Sequence, residues 1–135
     1  RVDDALHATK AALQEGILPG GGVALVRAAS EISVKEKSTE DPSIRAGLSI
    51  VRDACNEPFR QIVRNGNKNP DSYLEKIQNQ KDNMGFDFRF DRVGDMFDLG
   101  IVDPLKVTRC ALENASSAAS ILLSVGSAMV EIDKV

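Results

Sequence analysis

Three times in this 135-residue chain an aspartate or asparagine stands directly before a proline: Asp41-Pro42, Asn69-Pro70 and Asp103-Pro104. A short polar side chain there accepts from the free amides of a helix start, and proline suits the first helical position because its missing N–H is not needed. Each pair therefore predicts the start of a helix. After the first, Ile44, Leu48, Val51 and Cys55 recur at steps of three and four, as one buried face requires. Pro58 breaks that run and predicts a separate short helix with Phe59, Ile62 and Val63, ended by Gly66. Tyr73, Leu74 and Ile77 follow the second pair. Val107, Ala111, Ala115, Ala118 and Leu122 follow the third, a face of mostly small residues.

Ahead of these, Val2, Ala5, Leu6, Thr9, Ala12 and Leu13 give an amphipathic helix over 2–15, with Gly16 as its stop. Pro19-Gly20-Gly21-Gly22 then interrupts any helix and lets the backbone approach another group closely. A second helix starts near Val23 and runs to Ile32, and the mixed-charge stretch 33–41 reads as a solvated loop. Phe86, Phe88 and Phe90 alternate with Asp87, Arg89 and Asp91, the two-residue period of a strand with one buried face. Ala128 to Asp133 alternates imperfectly and reads as an edge strand that needs a partner. The expected fold is mostly α, with a small β hairpin and a C-terminal edge strand.

With 42% hydrophobic and 27% charged residues the chain has the balance of one globular core. Seventeen basic against twenty acidic residues, scattered rather than striped, speak against a nucleic-acid partner. No apolar run reaches the roughly 18 residues of a membrane helix and no signal-peptide pattern opens the chain, so no membrane partner is expected. Cys55 and Cys110 sit far apart at apolar helical positions and read as two reduced, buried thiols, with no metal site. The chain opens on Arg1-Val2-Asp3-Asp4 without an initiator Met and already in helical rhythm, from which we expect that upstream sequence has been removed.

On local grounds each candidate site also has a plain reading. The glycines before Val23 could hold an anion at a helix N-terminus, but they fit neither phosphate-loop pattern and serve equally as an interhelical turn. Asp103 could bind the two hydroxyls of a ribose or cap a helix. Asp3 and Asp4 suit the positive end of a helix dipole, and His7, one turn after Asp4, has no nucleophile beside it.

Read together, RVDDALHATK at 1–10, GGGVAL at 20–25, PFRQIV at 58–63 and GIVDPLKVTR at 100–109 resemble, in order and spacing, the C-terminal stretch of group I (GroEL-type) chaperonins. The resemblance covers essentially the whole chain. It implies that residues 1–15 are the last helix of an intermediate domain and 16–135 the C-terminal half of an equatorial, ATP-binding domain. It implies an ATP-dependent folding chaperone whose identical subunits form a heptameric ring, closed by a co-chaperonin lid around non-native client proteins. The expected compartment is the bacterial cytoplasm, with the mitochondrial matrix as alternative. The family's phosphate loop and the ligands of Mg2+ and K+ come mainly from the N-terminal part of the subunit, so this chain alone should be inactive.

By the same resemblance Asp4 orients the water that attacks ATP, Gly20 and Gly21 close against the nucleotide, Ile101 packs on the base and Asp103 holds the ribose. Asp87, Phe88 and Arg89 stand where the family lines the adenine, typically with Asn-Ala-Ala, so this chain departs there in bulk and charge. A second departure concerns Arg60, whose counterpart in some members pairs across rings with an acid before the proline at 70; here that position is Asn69. The rival readings are a catalytically silent chaperonin paralogue and a free-standing helical interaction module.

Overall fold

The computed structural model describes residues 2–81 and 83–127. In chain order these form α1 (Val2–Glu15), β1 (Ile17–Pro19), α2 (Val23–Ser38), α3 (Pro42–Asn65), α4 (Pro70–Gln78), β2 (Met84–Asp87), β3 (Arg92–Asp95), β4 (Val102–Pro104) and α5 (Leu105–Ser124). The architecture is mostly helical with two small two-stranded sheets, β1 beside β4 and β2 antiparallel to β3. The expected strand at 128–133 lies outside the described residues. The chain divides into two compact units, residues 17–103 and a second made of 1–16 with 104–135.

Two of the three Asx-Pro pairs do what their chemistry predicts. Asp41 accepts from the amides of Ser43 (2.8 Å) and Ile44 (3.2 Å), and Asn69 from those of Asp71 (3.0 Å) and Ser72 (3.3 Å). The third does not: α5 is capped by Pro104 without a side-chain bond, and Asp103 lies in β4. Asn69 is therefore a helix cap, and the acid that meets Arg60 is Asp71, at 3.3 Å, with Glu57 on its other side at 2.9 Å.

Three further expectations are corrected. Pro58 does not open a new helix but lies inside α3, which runs unbroken to Asn65. A proline there removes one intrahelical bond, at a cost of about 3 kcal/mol. Cys55 and Asn56 before it and Phe59 and Val63 after it are all buried, and this packing keeps the helix continuous through it. Likewise α2 continues six residues past Ile32, because Lys and Glu are good helix formers and Glu36 is held by Arg52 at 2.6 Å. The hydroxyls of Ser38 and Thr39 both return to the carbonyl of Lys35 and finish the last turn. Third, the Phe86-Phe88-Phe90 strand ends at Asp87, and Phe90 sits on the following turn, 63% exposed.

The core of the 17–103 unit is Val26, Phe59, Val63, Leu74 and Ile77, with Tyr73, Phe86 and Phe88 packed against it. Full burial of a side chain such as Phe59 or Ile77 contributes about 1.5–3 kcal/mol. Arg27 ties α2 to the start of β2 and the stretch before it, donating to the carbonyls of Lys81 (3.0 Å) and Met84 (3.1 Å). In the other unit α1 packs on α5. Among the described residues α5 has no fully buried position, and Ile121, Leu122 and Leu123 stand 63%, 73% and 86% exposed. Cys55 is buried as expected, with its thiol pushed up by burial, whereas Cys110 is only half-buried; both are free.

Gly22 combines tight packing with a left-handed backbone. Its φ is +78°, and a Cβ there would lie 2.9 Å from the backbone of Phe59. We expect Gly22→Ala to cost more than about 2 kcal/mol in chemical denaturation, through both torsion and clash. Gly47, a helical glycine facing open space, is the opposite case. There Gly47→Ala should stabilise by about 0.5–1 kcal/mol in the same assay.

Candidate functional site

β1 delivers the chain to Gly20, whose N–H donates to the carbonyl of Ile101 at 2.8 Å. The approach leaves no room for a side chain: a Cβ on Gly20 would lie 2.9 Å from Ile101 C and O and 3.0 Å from Val102 N. Gly21 has φ +66°, and its Cβ direction meets only Ile101 Cγ2, at 3.9 Å. Its constraint is therefore torsional, and the space above it is bounded by the Ile101 side chain. Gly22 then caps α2 from a left-handed conformation with no side-chain acceptor, so no carboxylate or hydroxyl of its own occupies the first-turn amides. Such amides favour an anion.

Ile101 and Asp103 are two residues apart on an extended segment, which puts both side chains on the same side of the chain. Asp103 is partly buried, and burial raises its carboxyl above the ordinary range. No described residue donates to it or pairs with it. The site thus gathers a side-chain-free backbone turn, an aliphatic surface and an unpartnered carboxylate, a set suited to a ligand with an anionic part, an apolar face and hydroxyl donors.

The hairpin joins this site through the backbone. Met96 N–H donates to Asn83 O (3.0 Å), Ile101 N–H to Met96 O (2.8 Å) and Gly20 N–H to Ile101 O. Within the hairpin Asp87 lies opposite Arg92. Its carboxylate, only 5% exposed, accepts from Arg89 N–H at 3.0 Å and from Arg92 Nε at 3.3 Å. Phe88 turns into the aromatic cluster, 4.6 Å from Phe86 and 5.7 Å from Tyr73 between ring centroids. Arg89 is exposed, its guanidinium 5.5 Å from the Phe90 ring. Of these three candidates only Arg89 keeps a side chain free to meet a ligand, and the other two build the turn.

Asp4 belongs to the other unit, on the exposed first turn of α1 beside Asp3. The structure therefore brings Gly20, Gly21, Ile101 and Asp103 together, with Asp87, Phe88 and Arg89 one hydrogen-bond relay away. Asp4 is not part of that unit. In Asp4's own unit Arg109 is shared by Glu15 (2.7 Å) and Glu113 (2.9 Å), and the guanidinium holds the Glu15 carboxyl below its usual range. The Arg109–Glu113 spacing of four was readable on a helix. Its link to Glu15, across the sequence, was not. Arg92 was also missed, because extending the strand to Phe90 put it out of register with Asp87. Among the described residues no group of three or more His, Cys, Asp or Glu is placed to hold a metal ion.

The TCP-1/cpn60 chaperonin family matches residues 1–133. Chaperonin GroEL 3 of Psychromonas ingrahamii is 50% identical over 124 residues, 92% of this chain and 22% of that protein. The chain thus spans about a fifth of the length of this curated relative. A crystal structure of a group III chaperonin in the open state superposes with a TM-score of 0.80 at 28% identity, over 88% of this chain and 25% of that one.

The Asp103 site makes a pH prediction. Because burial raises its folded-state pKa, the protonated form favours the fold. That contribution is present below the ordinary carboxylate range and is lost as pH rises through the raised value. Asp103→Asn, which cannot ionise, should therefore melt higher than wild type at pH 7, and the gap should close as pH falls below about 4. Thermal unfolding monitored by circular dichroism at both pH values reads the difference.

Proposed function

This chain belongs to the TCP-1/cpn60 chaperonin family, and from that premise we propose that it is the C-terminal part of an ATP-driven folding chaperone and supplies half of its nucleotide pocket. In this reading residues 1–15 end the intermediate domain and 16–135 form the returning half of the equatorial domain. The whole subunit assembles with identical copies into a heptameric ring, takes a co-chaperonin lid and encloses non-native client proteins in the bacterial cytoplasm.

The observation that carries the reading is the junction of Gly20 and Gly21 with Ile101 and Asp103. A half-buried carboxylate with no partner among the described residues is costly to keep, and a pair of ribose hydroxyls would satisfy it. Gly20 and Gly21 keep side chains off the backbone beside it, as close approach of a phosphate requires. The residues present thus fit the sugar and part of the phosphate chain. ATP supplies the phosphoryl group whose transfer to water times the folding cycle; Mg2+ and K+ would be held mainly by residues beyond this chain.

Within that scheme Ile101 offers an apolar surface to the base, and Asp103 fixes the sugar by accepting from its hydroxyls. Asp87 and Phe88 act through the hairpin they build, and Arg89 alone reaches outward at the base edge. Asp4, exposed and with no partner among the described residues, is in this reading the group that orients the attacking water. The inward turn of Asp87 and Phe88 alters the base edge but leaves the junction of Gly21 with Ile101 and the open Asp103 carboxylate, and the chain keeps an acid at Asp4, which supports a working nucleotide site over a silent one.

Asp4 separates the catalytic from the plain structural role. In single-turnover ATP hydrolysis by the full-length protein, Asp4→Ala should lose roughly 10²-fold or more in rate with nucleotide affinity nearly unchanged. Asp3→Ala, which shares the helix end and the charge but points elsewhere, should change stability by less than about 1 kcal/mol and leave the rate intact. Equal small losses in both variants would return Asp4 to a helix-dipole role.

A further inference from the structure

Asn65, the last residue of α3, is followed by Gly66, and no other asparagine in the chain precedes a glycine. An asparagine so placed is chemically labile: the amide nitrogen of the next residue can attack its side-chain carbonyl, and glycine has no Cβ to hinder the approach. Torsion does not demand a glycine here, because φ of Gly66 is −83°. Space favours it instead, since a Cβ would press on Phe88 Cδ1 at 3.2 Å. The labile pair thus stands where the end of α3 seats the cluster of Tyr73, Phe86 and Phe88.

The folded chain holds this reaction shut. Ring closure needs the Gly66 nitrogen turned toward the Asn65 side chain and stripped of its proton. Instead its N–H points back along α3 and donates to the carbonyls of Ile62 (3.1 Å) and Val63 (3.0 Å). The Asn65 side chain is tied back as well, its Oδ1 accepting from Gln61 Nε2 one turn earlier at 2.9 Å. Asn67 completes the cap from a left-handed conformation, φ +54°, its N–H donating to Arg64 O (2.9 Å) and that of Lys68 to Val63 O (3.2 Å). Lys68 in turn pairs with Asp91 on the hairpin turn at 3.3 Å. Helix ends open locally at less cost than the whole fold. Asn65 is exposed, so water reaches it as soon as this cap lifts.

We propose that Asn65-Gly66 is a self-modification site gated by the C-terminal cap of α3, where each opening of the cap exposes Asn65 to irreversible conversion into aspartate or isoaspartate. In the open state solvent hydroxide removes the Gly66 N–H proton and the nitrogen attacks Asn65 Cγ. The Cγ–Nδ2 bond breaks, and Nδ2 leaves as ammonia with a proton taken from water. One water molecule then opens the cyclic imide at either carbonyl. Either product leaves a carboxylate at the C-terminal end of α3, where the helix dipole disfavours negative charge. Isoaspartate also adds a carbon to the main chain directly ahead of Gly66. Both changes oppose reclosure, so the site records opening and loosens the seat of Phe88 as conversion proceeds. This chemistry is independent of the nucleotide reading and needs no reactant but water.

The full-length protein is incubated in mildly alkaline buffer with and without guanidinium chloride. Peptide mass spectrometry follows the amide-to-acid conversion at Asn65, and an isoaspartate-specific methyltransferase reads the rearranged product. The native rate should be at least about tenfold below the denatured rate. Position 67 separates the gate from the chemistry, because it changes the cap and not the reacting pair. Asn67→Val, strained at a positive φ, should raise the native-to-denatured rate ratio roughly fivefold or more. Asn67→Gly, unstrained there, should leave the ratio at or below the wild-type value. If circular dichroism shows that Asn67→Val unfolds the whole chain, Gln61→Ala, which frees the Asn65 side chain at an exposed position, takes its place and should raise the ratio severalfold. No conversion at Asn65 in the denatured chain, equal native and denatured rates, or a ratio that the cap-opening variant leaves unchanged would each overturn the proposal.

Discussion

The backbone of Gly20 lies against the backbone of Ile101 closer than any side chain permits, and the rest of the site is arranged around that contact. The hydrogen bond between them aligns β1 with the segment leading to β4, which sets Ile101 and Asp103 on one side of the chain. Two residues later Gly22 repeats the requirement against Phe59, so the same turn is anchored to the core through α3. A peptide that must touch two different backbones within three residues has almost no freedom left, and this rigidity gives the unpartnered Asp103 carboxylate a fixed position. Preorganisation of this kind lowers the ordering cost of binding.

The helices were legible because their signals are local. Asp41 and Asn69 announced caps, Gly16 a stop, and the apolar steps after Pro70 a buried face, and the structure has each. The steps after Pro42 do not make the buried face expected of them: Cys55 is buried, but Ile44 and Val51 stand 57% and 39% exposed. What the sequence hid depends on partners far away along the chain. Asp103-Pro104 looks identical to the two capping pairs, but pairing of β4 with β1 draws Asp103 into a strand before α5 begins. Pro58 has the chemistry of a helix start, and only the burial of residues on both sides of it keeps α3 whole. The charged end of α2 gave no apolar period, because a helix held by Glu36–Arg52 needs none.

The candidate site was legible in a different way. Gly20, Gly21 and Asp103 have ordinary local explanations, and it was their order and spacing together that singled them out. The structure then removes the ordinary explanation for Asp103, which caps nothing, while supplying one for Asp87, whose carboxylate closes a turn with Arg92. Buried acids with every oxygen engaged build folds, and those left open are where a ligand is most needed. The same distinction applies to the arginines: Arg60, Arg92 and Arg109 are all engaged within the chain.

The pairing of β1 with β4 has a consequence for the order in which the molecule comes together. The contacts of α2 with α3 and of α3 with α4 join neighbours in sequence and close short loops, which chains do quickly. β1 and β4, by contrast, lie at opposite ends of the 17–103 unit, and their union must wait until the intervening helices and hairpin have shortened the distance between them. The Gly20–Ile101 junction is therefore among the last contacts to form, and a half-assembled chain has no place for a ligand to settle.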